Sequence, residues 1–378
     1  MSTVAAQPLL PVYPPAPLTF VEGEGSWLIA ADGRRYLDFV GGIAVVGLGH
    51  RHPAPLAAAH AQLDRLWHTS NLFGSDPAVA LAERLAARFG GAQAFFCNSG
   101  TEAVEAALKY ARKATGRAGV VALEGSFHGR TTGSLAITGQ PAKRAAFEPL
   151  ITGVRFARLN DVDSLAAAID DGVGLVVLEV VQGEGGVRPA TQEFVDAAAE
   201  LAARAGALLC IDEVQTGVGR TGSFFAHERY GVRPDLVALA KALGNGLPIG
   251  ALLVAEEAAG AFEPGDHGST FGGNPVACAA ACAVVDEIDD DLLAHVRALE
   301  ARFLPALAGL TGVVDARGVG LLLGLELSGA ARPVLAACLG RGLLLSAAGE
   351  NVVRLTPPLT VTPGEVEHAL AILAEALA

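Results

Sequence analysis

Long apolar runs are missing from this 378-residue chain. None reaches the ~18 residues that a membrane helix requires. Blocks of lysine or arginine are also missing, and 40 acidic against 27 basic residues leave a formal charge of −13. That balance argues against nucleic acid or an anionic membrane as the main partner and serves solubility instead. Cysteine is scarce: Cys97, Cys210, Cys278, Cys282 and Cys338, an odd count with no CxxC pair. This excludes a disulfide framework and predicts buried, reduced thiols in a cytosolic protein. Repeats and low-complexity linkers are absent. The start, MSTVAAQPLLPVYPPAPLTF, has neither the basic head nor the apolar centre of a signal peptide, and its prolines predict an extended arm lying on a partner surface. His50 and His52 lie in a Gly/Pro-rich turn with no cysteine or carboxylate nearby, so no metal is expected there.

What is present is ample material for a core, since 51% of residues are hydrophobic. The length suits two domains, or one large domain with a smaller one appended. Short apolar runs (AQAFFCN, GVVALEG, GLVVLEVV, GALLCIDE, DLVALAK, GALLVA) alternate with Ala/Leu-rich amphipathic stretches (PAVALAERLAARF, GTEAVEAALKYARKATG, TQEFVDAAAELAARAG). In the last of these Thr191 is the expected N-cap, with Gly206 just past the end. Continuously apolar strands separated by helices predict an α/β fold with a mostly parallel sheet covered on both faces. Its site should lie beyond the carboxyl ends of the strands. The texture changes near Val284 to that of a smaller α+β unit. The first ~45 residues contain a hairpin with Asp32-Gly33 as its turn and should pack with that unit. The expected divisions are 1–48, 49–283 and 284–378.

The residues just after the apolar runs carry the chemistry. Asn98-Ser99-Gly100-Thr101-Glu102 opens a helix and offers N–H groups and hydroxyls to an anion, although an ordinary capping box reads the same way. Ser126-Phe127-His128-Gly129-Arg130 puts an aromatic ring, an imidazole and a guanidinium in one glycine-flanked loop. Gln182-Gly183-Glu184 and Asp212-Glu213-Val214-Gln215 end two further runs. LVALAKALGNG ends another in Lys241, which alone would pass for a strand whose last residue reaches solvent. Taken together, phosphate donors, an aromatic plate, a strand-end aspartate and a strand-end lysine match the needs of pyridoxal 5′-phosphate. Its phosphate needs donors, its aldehyde an amine, its ring nitrogen a carboxylate and its ring face a lid. A rival is the literal GxGxxG at Gly217–Gly222. It neither follows its strand directly nor opens a long helix, and Asp235 precedes the next strand rather than ending it, so a dinucleotide site is not expected.

At these residues the chain resembles the class-III aminotransferases, pyridoxal-phosphate enzymes of fold type I. The resemblance runs over nearly the whole chain, through GGIAVVGLGHRHP, WHTSNLF, NSGTEAVEAALKYARK, EGSFHGRTTGSLAITGQP, VQGEGGV, IDEVQTGVGRTG, AKALGNGLPIGA, GSTFGGNPVACAAA and VVRLTPPL. It implies that Lys241 holds the cofactor and moves the proton, while Asp212 faces the ring nitrogen and Gln215 the ring hydroxyl. It places Ser99, Gly100 and Thr101 at the phosphate, Phe127 on the ring, and Glu213 and Val214 beside them. Arg130 would take the α-carboxylate of the substrate. Arg354 would take the 2-oxoglutarate or glutamate carboxylate, with Glu184 neutralising it when the diamine substrate is bound. It further implies a homodimer with shared sites, in which Ser269 and Thr270 serve the partner. Val46, Val104, Val180 and Asn245 depart from the family's usual Asn, Asn, Pro and Gly. Gly74 stands where ornithine-specific members carry tyrosine, which favours an N-acylated ornithine as amino donor. Succinylornithine, ornithine, 4-aminobutyrate or a carrier-linked lysine precursor are the alternatives, and a racemase or mutase on the same fold is another.

Overall fold

The computed structural model describes residues 10–14 and 17–378. The proline-rich arm expected along a partner falls mostly outside the described residues. A seven-stranded sheet organises the molecule: β1 (Ala92–Cys97), β2 (Gly119–Leu123), β3 (Val154–Ala157), β4 (Val173–Leu178), β5 (Leu208–Asp212), β6 (Leu236–Leu239) and β7 (Gly250–Ala255). Across the sheet the order is β1-β7-β6-β5-β4-β2-β3. Strands β3, β2, β4, β5 and β6 run parallel, and β7 lies antiparallel to both of its neighbours. Six of these strands match the apolar runs. The seventh, β3, was not anticipated: it is four residues long, sits at the edge and carries an exposed Arg155.

Both faces of the sheet are covered. The helix Gly100–Thr115 lays Ala103, Ala106, Ala107 and Ala111 against one face, alongside Val120, Leu175 and Leu252. These small residues let the helix axis approach the strands closely. Ser99 caps it by accepting from the Glu102 N–H, and Gly116, at φ 67°, ends it in the left-handed conformation that favours glycine. The helix Gln192–Ala205 covers the other face with Phe194, Val195 and Ala198, capped by Thr191 and stopped by Gly206 as expected.

Before the large sheet, Phe20–Glu24, Trp27–Ala30 and Arg35–Asp38 form a meander. The Asp32 carboxylate accepts from the Arg34 N–H in the second turn. Leu343–Leu344 joins this sheet from the far end of the sequence, with Leu343 opposite Leu37 in parallel. A further sheet holds Val313–Val319, Leu322–Leu327, Val352–Leu355 and Ser346–Ala347. One apolar cluster runs from Leu37 and Phe39 through Val237 and Leu239 to Leu355 and Leu373, across both expected divisions at 48 and 283.

The Gly217–Gly222 loop opens no long helix. Arg220 is buried there, donating to the Leu321 and Pro357 carbonyls, so the loop ties the large sheet to the C-terminal strands. His50 and His52 face different carboxylates, Asp38 at 2.8 Å and Glu287 at 3.8 Å. No helix among the described residues is long and apolar enough to cross a membrane.

Asn245, the departure nearest Lys241, has a structural explanation. Its φ of 45° is left-handed, and its side chain accepts from the Leu48 N–H at 2.8 Å and donates to the Gly49 carbonyl at 3.0 Å. It therefore pins the segment after β6 to the loop before residue 50. Asn245→Ala should destabilise the fold by about 2–3 kcal/mol, and Asn245→Gly, which keeps the backbone but loses both bonds, by about 1–2 kcal/mol. Thermal melts followed by circular dichroism check the order of the two variants.

Candidate active site

The carboxyl ends of β2, β4, β5 and β6, with the loop after β1, enclose a cavity of about 380 Å³. Asp212 is the last residue of β5, and Lys241 follows β6 by two residues at φ 47°. Both line this cavity. A left-handed conformation at a non-glycine residue carries strain, which the surrounding structure must hold in place. The lysine is therefore not a strand end reaching bulk water: its flank opens onto the cavity.

Asp212 is only 4% exposed. Its Oδ2 accepts from His128 Nδ1 at 2.7 Å and its Oδ1 from the Val214 N–H at 3.0 Å. Such donors stand in for water around a buried carboxylate. Burial lowers the Lys241 pKa, against the opposing pull of the Glu184 and Asp212 charges. A lysine so placed gives up its proton more readily than one in water.

Ser99, Gly100 and Thr101 line the same cavity where the helix Gly100–Thr115 begins. The first N–H groups of a helix have no acceptor within it. Thr101 Oγ1 lies 2.8 Å from Thr131 Oγ1 and 2.6 Å from Ser134 Oγ, so three hydroxyls gather beside those N–H groups. A side chain at Gly100 would bring its Cβ to 2.6 Å from Val214 Cγ1. That close approach presses the helix start against the residue that anchors Asp212. Phe127 lines the cavity, and the Arg130 guanidinium stands 5.5 Å from its ring centroid.

Arg354 does not line the cavity itself. It is buried behind it, donating to Glu184 Oε1, to Gln215 Oε1 at 3.2 Å and to Ser346 Oγ at 3.2 Å. Glu184 and Gln215 are the residues that reach the wall. Burial works to raise the Glu184 pKa, but the Arg354 charge and hydrogen bond, joined by the Lys241 and Lys143 charges, make the net shift downward. The expected Arg354–Glu184 ion pair is thus formed in the single chain.

Four further expected residues, two of them expected to serve a partner, do not line the cavity of the single chain. Glu213 is not in the cavity. Successive residues at a strand end point to opposite faces, and with Asp212 turned inward its neighbour turns away. The Glu213 carboxylate accepts from the Ala226 and His227 N–H groups at 2.7 and 2.9 Å and from His227 Nδ1 at 2.7 Å. Gly74 does not border the cavity either, so in the single chain its small size makes no room there. Ser269 accepts from Asn98 Nδ2 at 3.2 Å without lining the wall, and Thr270 is exposed. His128 and Glu179 line the cavity, but neither had been picked out as a site residue. His128 had been noted only for its loop, and its partner lies 84 positions away.

These residues suit a phosphorylated, carbonyl-bearing heteroaromatic ring: hydroxyl and N–H donors, a donor-supported carboxylate and a buried amine line one cavity. The family model for class-III aminotransferases matches residues 11–377. The chain belongs to this family. It is a pyridoxal-phosphate-dependent transaminase. Acetylornithine aminotransferase of Corynebacterium efficiens is 48% identical, over 98% of this chain and 95% of the relative. The Mycolicibacterium smegmatis protein of the same name is 50% identical, over 96% and 94%. Among solved structures, N-acetylornithine aminotransferase from Stenotrophomonas maltophilia superposes with a TM-score of 0.85 at 36% identity, covering 96% of each chain. Ornithine aminotransferase from Toxoplasma gondii gives 0.93 at 31% identity, covering 98% of this chain and 92% of its own.

Because burial lowers the Lys241 pKa, the unfolded chain binds this proton more readily than the folded one below the ordinary lysine range. Stability from this group therefore rises with pH through that window. Lys241→Met should melt above the wild-type apoprotein near neutral pH, with the gap closing as the pH approaches the ordinary lysine range. Scanning calorimetry over a pH series tests this.

Proposed function

We propose that this transaminase moves the terminal amino group of N2-acetylornithine to 2-oxoglutarate, giving N-acetylglutamate 5-semialdehyde and glutamate, and that it serves arginine biosynthesis in the reverse direction. The observation that carries the reading is the Arg354–Glu184 pair behind the wall that also bears Lys241 and Asp212. Such a pair gives one pocket two states. With Glu184 on Arg354, the wall presents no free cation to an amine that bears no carboxylate on its reacting carbon. With Glu184 withdrawn, Arg354 meets the 2-oxoglutarate or glutamate carboxylate. The likeness to acetylornithine aminotransferases at 44–50% identity supports the acylated donor.

Pyridoxal phosphate, once bound, supplies an aldehyde that exchanges amines and a ring that withdraws electrons. The remaining work belongs to the chain. Ser99, Gly100 and Thr101 hold the phosphate, and Phe127 and Val214 offer apolar surfaces to the ring. Asp212, steadied by His128, keeps a negative charge opposite the ring nitrogen. Lys241 Nζ would hold the cofactor and, as a neutral amine, would take a proton from the substrate carbon. Arg130 orients the substrate through its α-carboxylate.

The experiment is a half-reaction screen. The yellow enzyme is mixed with single amines and the loss of its visible band is followed. N2-acetylornithine should bleach it faster than ornithine or 4-aminobutyrate. Faster bleaching by either of those would reassign the donor. Lys241→Ala should lack the band. Asp212→Ala should bind cofactor yet lose about 10²–10³-fold in kcat, and near wild-type turnover would remove its assigned role.

We also propose a homodimer in which Ser269 and Thr270 complete the partner's site. Leu72 and Phe73 are 85% and 71% exposed. They sit on a segment that Asn71 ties to the Ser269 and Gly272 carbonyls, beside the exposed Phe271. Such apolar exposure suits a second copy. Sedimentation equilibrium should return twice the chain mass, and a monomer that is active at every dilution would refute the shared site.

A further inference from the structure

Glu179 has no part in the chemistry above, yet it lines the same cavity. It follows β4 by one residue, and Leu178 stands opposite Ile211 across the parallel pair. The next residues, Glu179 and Asp212, are therefore side by side on strands about 4.8 Å apart. Both line the cavity, and Glu179 is only 5% exposed.

The two carboxyls are not equally supported. Asp212 has an imidazole and a backbone N–H at hydrogen-bond distance. Glu179 Oε2 accepts from the Phe127 N–H at 3.3 Å, and among the described residues no protein donor reaches Oε1. Five titratable groups line the cavity with it: Asp212 from the end of β5, Lys241 after β6, Glu184 from the turn after Gln182, and His128 and Arg130 from the loop after β2. Burial, and then the Asp212 charge, push the Glu179 carboxyl well above the ordinary glutamate range, while the Phe127 N–H and Lys241 pull the other way. Two neighbouring carboxyls in a dry site do not both ionise, and the one with fewer donors keeps its proton.

We propose that Glu179 is a neutral carboxylic acid in the resting enzyme, which leaves Asp212 as the anion of the pair and presents an O–H donor to the cavity. Glu179 acts here as a positioning residue: it fixes where the negative charge resides and loses no proton in doing so. Its consequence for turnover rests on the role proposed for Asp212, but its protonation state does not.

The test compares infrared spectra of the full wild-type chain and Glu179→Gln, with and without cofactor. A protonated-carboxyl stretch that shifts on isotopic labelling of glutamate should be present in the wild type in neutral buffer and lost in the variant. The melting temperature of Glu179→Gln should also gain on that of the wild type as pH rises from about 5 to about 8, because the folded wild type must retain a proton that the unfolded chain releases. Absence of the band from the labelled wild type overturns the proposal whether or not the variant folds. A melting difference that stays constant with pH overturns it as well. Neither readout involves turnover, so a wrong substrate assignment would not be mistaken for a wrong protonation state.

Discussion

Burying a carboxylate is unfavourable unless donors replace the water it has lost. At Asp212 that replacement is the His128 imidazole on one oxygen and the Val214 N–H on the other. The rest of the site is arranged around this small assembly. Val214 in turn lies close against Gly100, so the start of the helix Gly100–Thr115 and the Asp212 carboxylate are held to each other through one valine. His128 leaves a loop that also carries Phe127 and Arg130, which brings an aromatic ring and a guanidinium into the same frame.

A second layer of electrostatics lies behind the wall. Arg354 is buried and multiply bonded, and it reaches the cavity through Glu184 and Gln215 rather than directly. Charge at the site is thus graded by depth. The lysine is destabilised as a cation, Glu184 is favoured as an anion by its arginine, and Glu179 sits where a further negative charge would be repelled by Asp212. The same low dielectric that raises the penalty for an unpaired group strengthens each pair that is made.

Much of this was legible in the sequence, for reasons that differ by residue. Asp212 and Lys241 stood out because each ends an apolar run, and strand ends of a parallel sheet converge. Six strands were visible as continuous apolar runs. Direction was not: GALLVA reads the same whether its strand runs with or against its neighbours. Strand β3 was hidden by its length and its arginine. Glu179 was hidden inside GLVVLEVV, where a single acid among aliphatics passes for part of the strand. Glu213 was misplaced because adjacency to Asp212 in sequence suggested a shared role, while the pleat sends the two side chains to opposite faces. The pairing of His128 with Asp212 depends on how β2 and β5 are placed across the sheet, which local pattern does not contain.

The parallel pairing of Leu37 with Leu343 brings the two extremes of the chain onto one ribbon. A ribosome releases a chain from its beginning, so the strand at Arg35–Asp38 emerges long before the neighbour that completes it. Arg354, ten residues beyond Leu344, is among the last site residues to leave the tunnel. A nascent chain can therefore assemble the seven strands that carry Lys241 and Asp212 while the arginine behind Glu184 has yet to be translated. The strands that position Lys241 and Asp212 are built first, and the group proposed to read a further carboxylate arrives later.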